Sequence, residues 1–329
     1  MTPLVEARDL VKHFRLGHGL GERLLGRQGR TVRAVEGVGL SVARGETLGL
    51  IGESGCGKST LGRLLLRLVE PSSGSIRFDG QDIARLPDAA LRPLRRRMQI
   101  IFQDPYASLN PRRTVREIVA LPLSLHENLR GAAAEERVAA MLDRVGLARA
   151  HLGRYPHQFS GGQRQRIGIA RALILSPEFV VCDEPVSALD VSVQAQVLAL
   201  LRELRDEMGL SLLFISHDLA VVAHLARRIA VMYLGRVVEE GGRDAIIRRP
   251  AHPYTQSLLA SVPRLAGAAA ARRAPPGELP SPLAPPPGCA FHPRCPSAGP
   301  RCRREVPRRV ALAEAGHSAA CHLHDGGVG

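Results

Sequence analysis

The stretch Glu46-Thr47-Leu48-Gly49-Leu50-Ile51-Gly52-Glu53-Ser54-Gly55-Cys56-Gly57-Lys58-Ser59-Thr60, continued by LGRLLLRLV, decides how this sequence is read. Its first part is an apolar run of strand length, and its last part spaces Leu61, Leu64, Leu65 and Leu68 along one face of a helix. Between the two, Gly52 to Ser59 fits the pattern G-x-x-x-x-G-K-[ST]. Glycines at that spacing let backbone N–H groups turn inward onto phosphate oxygens, and the helix start adds positive potential. Lys58 then reaches the β and γ phosphates and Ser59 ligates Mg²⁺, with Glu53, Ser54, Gly55, Cys56, Gly57 and Thr60 completing the nucleotide-binding loop. The bland alternative is a chance Gly-rich turn, which the strand before it and the helix after it disfavour.

Outward from this loop, EFVVCDEP and LSLLFISHD are continuous apolar runs ending in carboxylates or His, as buried parallel strands do. The first delivers Asp183 and Glu184 side by side. Asp183 suits a Mg²⁺ partner through water, and Glu184 would stand at the γ-phosphate as base for the attacking water; plain helix capping is the alternative. Ser160-Gly161-Gly162-Gln163 opens a helix carrying Arg164, Arg166 and Arg171. It is a second anion site or an ordinary N-cap. Helical spacing over Glu135 to Val145 and Gln163 to Leu175, alternating with such strands, gives an α/β layer fold. Leu4 to Thr47 reads as antiparallel strands around a flexible Gly- and Arg-rich insert at Gly17 to Arg30.

The 329 residues, 45% hydrophobic and 23% charged, describe a globular chain and exclude wholesale disorder. Aromatics at 3%, with no Trp, argue against stacking platforms for single-stranded nucleic acid. The net charge of +14 invites a polyanion partner, but all save Lys12 and Lys58 of the 45 basic residues are Arg spread along the chain, which reads as a solvated surface. No apolar run approaches the roughly 20 residues that cross a bilayer, and the amino end lacks the build of a signal peptide, so a cytoplasmic chain is expected.

The order of the pieces is specific: the phosphate loop, Gln103, Ser160 to Gln163, Asp183 and Glu184, Ser187-Ala188-Leu189-Asp190, then His217. This resembles the ATP-binding subunit of an ABC transporter, whose Q-loop, signature, Walker B, D-loop and switch histidine follow one another so. The resemblance implies an α/β P-loop NTPase of ABC type over 1–250, with an antiparallel β subdomain and a helical signature subdomain. It implies ATP and Mg²⁺ as cofactors, Glu184, His217 and Gln103 as catalytic residues, and Ser59, Gln103 and Asp183 around Mg²⁺. Phe14 would stack on adenine, and Ser160, Gly161, Gly162, Gln163 and Asp190 would act in trans on a partner's nucleotide. IIFQDPYASLNPRRTV, HPYTQSLLASVP and GCAFHPRCP further resemble the second ATPase subunit of oligopeptide and dipeptide importers, with glutathione and nickel importers as near relatives. Implied partners are a paralogous or identical ATPase subunit, two membrane-spanning permease subunits, a short helix of which the segment Asp104 to Asn110 would receive, and, indirectly, an extracytoplasmic solute-binding protein. No nucleic acid is expected, a soluble ABC ATPase acting on nucleic acid being the rival that the net charge keeps open, and the place of action is the cytoplasmic face of the cell membrane.

Residues 251–329 form a C-terminal extension in which a Pro- and Ala-rich strap precedes Cys289, Cys295, Cys302 and Cys321, with five, six and eighteen residues between successive members. Four thiolates in a reducing compartment suit a [4Fe–4S] cluster or Zn²⁺, with free thiols as the bland reading. His292, His317, His322 and His324 read as solvated. A tail this short is expected to need the metal as a staple, and to stand apart from hydrolysis.

Overall fold

The computed structural model describes residues 2–16, 30–261 and 278–325. The expected insert, save Arg30, and residues 262–277 of the strap lie outside the described residues. The amino-terminal strands β1 (Val5–Arg15) and β2 (Thr31–Val42) pair antiparallel. Their alternation buries Val5, Ala7, Leu10, Val35, Val38, Leu40 and Val42 on one layer. The loop strand β3 (Thr47–Ile51) and helix α1 (Lys58–Leu65) follow, then β4 (Ser73–Phe78) and β5 (Gln81–Asp82), which extend the first sheet in the order β2-β1-β4-β5.

The chain next runs through α2 (Asp88–Arg97) and β6 (Met98–Ile101) into a helical region of α3 (Pro105–Ser108), α4 (Val115–His126), α5 (Gly131–Arg144) and α6 (Gly161–Leu173). It returns through β7 (Phe179–Asp183), α7 (Val191–Met208), β8 (Ser211–Ser216), α8 (Leu219–Leu225), β9 (Arg228–Tyr233), β10 (Arg236–Gly242), α9 (Arg243–Arg248) and α10 (Pro253–Ala260). Strands β11 (Val310–Ala311) and β12 (Ser318–Ala319) come from the tail. The larger sheet has the order β11-β12-β10-β9-β3-β8-β7-β6, parallel from β9 to β6.

The parallel strands are apolar throughout because both faces are covered. Val180, Cys182, Leu212 and Phe214 face the core built with α4, α5 and α6, whereas Val181, Leu213 and Ile215 face α1 and the antiparallel sheet. Each fully buried leucine in these layers contributes on the order of 2 kcal/mol. Among the described residues no helix is long and apolar enough to cross a membrane.

The tail does not stand alone. Strand β12 pairs antiparallel with β10, placing Ala319 opposite Glu239, and the Ala320 N–H donates to Val238 O at 2.8 Å. Phe291 is fully buried, its ring centroid 5.3 Å from that of Tyr233 and 5.4 Å from that of Tyr254. The tail thus shares the core of the ATPase sheet, which supplies the apolar contacts that a segment of its size lacks. Two of its histidines depart from the solvated reading. His317 is buried with Nε2 2.8 Å from Glu239 Oε1, and His322 Nδ1 lies 2.6 Å from Asp325 Oδ2. Glu239 is wholly buried, and its carboxylate also accepts from the Ala251 and His252 N–H groups at 2.8 and 2.9 Å, so burial of this charge is fully partnered.

Candidate functional site

Four adjacent parallel strands end at one edge of the larger sheet, where α/β proteins bind their ligands. Register sets Ile51 beside Ser216, Ile215 beside Asp183, and Cys182 beside Ile101. The residues that follow, Gly52, His217, Glu184 and Gln103, are therefore brought to one edge by strand pairing alone.

Gly57 turns the loop into α1 at φ 106°, where a Cβ would lie 2.1 Å from Ala34 O, so only glycine fits. Lys58 is buried, and its Nζ donates to Gly52 O at 2.7 Å and Glu53 O at 3.0 Å, 3.9 Å from Glu184 Oε1. Ser59 Oγ donates to Asp183 Oδ1 at 2.6 Å. Burial pushes the Asp183 carboxyl above the ordinary aspartate range, and the Ser59 bond opposes that rise. A buried carboxylate beside a hydroxyl is an oxygen donor pair of the kind that holds Mg²⁺, so the residues fit the expected ion.

Glu184 receives contacts from two more motifs. Gln103 Nε2 donates to Oε2 at 3.2 Å, and His217 Nδ1 lies 3.1 Å from the same oxygen. Glu184 also has φ 47°, a left-handed conformation that costs energy in a non-glycine residue and is held by its surroundings. The carboxylate is buried while the His217 side chain is more than half exposed, so the cluster opens towards solvent on the histidine side.

Ser160 to Gln163 and Asp190 occupy a second surface. Ser160 Oγ accepts from Gln163 N at 3.3 Å while Gln163 Oε1 accepts from Ser160 N at 3.1 Å, a reciprocal cap on α6. Asp190 Oδ1 likewise accepts from Val193 N at 2.9 Å and Ser192 Oγ at 2.8 Å, capping α7. Both polar residues are exposed, and among the described residues no hydrogen bond links them to Lys58 or Glu184. Gly162 allows α6 and α7 to approach, since a Cβ there would stand 2.3 Å from Val193 Cγ1. Within one chain these residues cap and pack helices, and Gly161 and Gly162 bring the signature beside the D-loop.

The remaining expectations divide. Phe14 lies on β1 and is partly exposed, with Lys12 Nζ 4.9 Å from its ring centroid. In the segment Asp104 to Asn110, Tyr106 is 65% exposed but Leu109 only 2%. Leu109 is core packing, because α3 turns that side chain beneath α4 and α6. The arginines of the signature helix support this segment: the Arg164 guanidinium stacks 3.8 Å from the Tyr106 ring centroid, and Arg171 donates to Ser108 O. The buried Gln165, not singled out by its sequence, lies with Nε2 3.5 Å from Phe102 O.

The four tail cysteines line one cavity of about 230 Å³, together with His252, His292 and Phe291. Burial pushes the Cys289 thiol up to about 11, and raises Cys295 and Cys321 as well. Among the described residues no three His, Cys, Asp or Glu side chains stand close enough to close on one ion, which is where the structure departs from the four-thiolate site expected from spacing. The tail also folds back onto the nucleotide loop, a contact not expected from the sequence. Arg294 donates to both carboxylate oxygens of Glu53, at 2.7 and 2.9 Å. Sequence separation hid this contact, since the two positions are 241 apart in sequence and neither belongs to a paired pattern.

Residues 35–187 match the family described as ABC transporter, and residues 238–302 match the family described as oligopeptide/dipeptide transporter, C-terminal region. The chain is 51% identical to the oligopeptide transport ATP-binding protein AppF of Bacillus subtilis, over 98% of this chain and 97% of that protein. It is also 51% identical to the dipeptide transport ATP-binding protein DppF of Escherichia coli, over 89% and 86% of the two chains. Among solved structures it is similar to the ATP-binding cassette MJ0796, a dimer in a post-hydrolysis state bound to ADP and Pi. That similarity has a TM-score of 0.64 at 29% identity and covers 73% of this chain and 98% of that one.

Proposed function

The chain belongs to the oligopeptide and dipeptide ABC transporter ATP-binding proteins, and on that premise we propose that it hydrolyses ATP to power peptide uptake through a membrane importer. The observation that carries the reading is the meeting of three separate motifs on one carboxylate: Gln103 and His217 share Glu184 Oε2, and Lys58 stands 3.9 Å from Oε1.

In this reading the loop from Gly52 to Thr60 cradles the phosphates and Lys58 neutralises them. Ser59, Asp183 and Gln103 would hold Mg²⁺, which when bound offsets the charge of the β and γ phosphates. Glu184 accepts a proton from the attacking water, with His217 and Gln103 fixing the direction of its carboxylate. Phe14 contributes a face for the adenine. Ser160, Gly161, Gly162, Gln163 and Asp190 lie on a separate surface, which suits action on the nucleotide of a second, identical or paralogous ATPase subunit. The exposure of Ser160 and Asp190 supports that assignment, as does the dimeric state of MJ0796.

We assign 1–250 to the ATPase unit and 251–329 to the importer-type extension. Tyr106 marks the face for two permease subunits, so the chain works peripherally at the inner side of the membrane, and a solute-binding protein acts indirectly. The test is uptake into vesicles carrying the assembled complex, with ATP inside and a labelled dipeptide or oligopeptide outside. ATP-dependent peptide accumulation is expected; accumulation of Ni²⁺ or glutathione in its place would select the other branch of the family.

A second reading concerns the tail. We propose that a metal, a [4Fe–4S] cluster before Zn²⁺, draws together Cys289, Cys295, Cys302 and Cys321, which line a single cavity although no three of them stand close enough to close on one ion without it. The raised thiols of Cys289, Cys295 and Cys321 would release protons on binding, so loading is expected to weaken as pH falls. Anaerobically purified protein should contain iron and sulfide at about four each per chain. One zinc selects the alternative, and metal-free protein contradicts both.

A further inference from the structure

The tail reaches the phosphate loop at a residue whose charge matters there. Glu53 is a carboxylate inside a loop built to receive anionic phosphate, and an unpaired negative charge at that point opposes the ligand. Arg294 answers it with a two-pronged bond at 2.7 and 2.9 Å. The guanidinium is buried and its Cζ lies 5.9 Å from the Tyr233 ring centroid, so its aim is fixed by packing.

Two further atoms of Glu53 are held. Its N–H donates to Tyr254 Oη at 2.8 Å, and its carbonyl accepts from Lys58 Nζ at 3.0 Å. Tyr254, Tyr233 and Phe291 pack on one another with centroids 4.6 to 5.4 Å apart, joining α10, β9 and the tail in one block. The block meets the loop through Glu53, and Cys295 directly follows Arg294.

We propose that Arg294 is a positioning residue for ATP: it neutralises and fixes Glu53, so that the cysteine-bearing tail sets the nucleotide affinity of the phosphate loop. This rests on the reading of that loop as the ATP site. The coupling is reciprocal, because a contact that favours ATP binding must itself be favoured by bound ATP.

The test is MgATP affinity of the full chain for four variants. Arg294→Ala leaves the Glu53 carboxylate without its guanidinium and should weaken ATP by roughly tenfold. Adding Glu53→Gln to Arg294→Ala removes the opposing charge and should restore most of that affinity. A merely structural loss of the tail would not be rescued in this way. Tyr254→Phe, which keeps the packing and removes only the Glu53 N–H acceptor, should weaken ATP several-fold and gives a second measurement if Arg294→Ala fails to fold. Lys58→Ala serves as the control for the ATP site itself. Wild-type affinity in both Arg294→Ala and Tyr254→Phe, or a double variant no better than Arg294→Ala, would overturn the proposal. Failure of the wild-type chain to bind MgATP, or unchanged binding by Lys58→Ala, would instead strike at the underlying reading of the loop.

Discussion

His217 Nδ1 stands 3.1 Å from Glu184 Oε2, on the oxygen that also accepts from Gln103. The pairing of β7 with β8 makes this contact, since each strand ends beside the other and presents its next residue at the same edge. His217→Ala removes a group that orients the carboxylate without touching Lys58 or Ser59. ATP turnover by the assembled transporter is therefore expected to fall by about 10²-fold while nucleotide affinity stays within a few-fold of wild type. A loss confined to affinity would show that the histidine serves binding alone.

Tyr106 and Leu109 lie in one short segment but do opposite things. Leu109→Ala opens a cavity beneath α4 and α6 and should cost about 2–5 kcal/mol in chemical denaturation. Tyr106→Ala, at an exposed side chain, should change stability little and instead weaken assembly with the permease. Equal destabilisation by the two substitutions would contradict the assignment of Tyr106 to a contact face.

Gly162→Ala places a Cβ 2.3 Å from Val193 Cγ1, where a β-branched neighbour cannot turn aside. The separate chain should lose about 1–3 kcal/mol, and Val193→Ala in the same chain should return much of it. Unchanged stability in the monomer would mean that Gly162 matters only between subunits.

The nucleotide edge was legible because its parts are local. Gly52 to Ser59 carries its own strand, turn and helix, and Asp183 and Glu184 announce themselves at the end of an apolar run. Ser160 and Asp190 were legible as residues, but the capping bonds they make within one chain leave their action on a partner to the family resemblance. The tail was read less well. Its histidines looked solvated because composition cannot show that β12 joins β10 and buries His317 against Glu239. The contact of Arg294 with Glu53 had no periodic or spacing signal, since it depends on where a distant segment folds back.

His252 gives the extension a pH dependence. Burial, helped by His324, holds its pKa down at about 4, and Nδ1 accepts from the Tyr254 N–H only in the neutral form. The unfolded chain takes up this proton near pH 6.5, the folded one not until about 4. Stability from this residue is thus complete above about pH 6.5 and is lost as pH falls towards 4, by on the order of 3 kcal/mol in all. His252→Asn keeps a cap acceptor and cannot titrate, so its denaturation midpoint should depend less on pH between 7 and 5 than that of wild type. Identical pH profiles would contradict the assignment.

The central claim is that Glu184 is the base around which the other motifs are arranged. Glu184→Gln keeps the shape and removes the proton acceptor. Steady-state ATP hydrolysis by the assembled complex, measured beside ATP retention by the same preparation, tests this directly. The account predicts hydrolysis reduced by about 10²-fold or more, with ATP still bound and the closed ATPase pair accumulating. Hydrolysis at the wild-type rate in Glu184→Gln would contradict it.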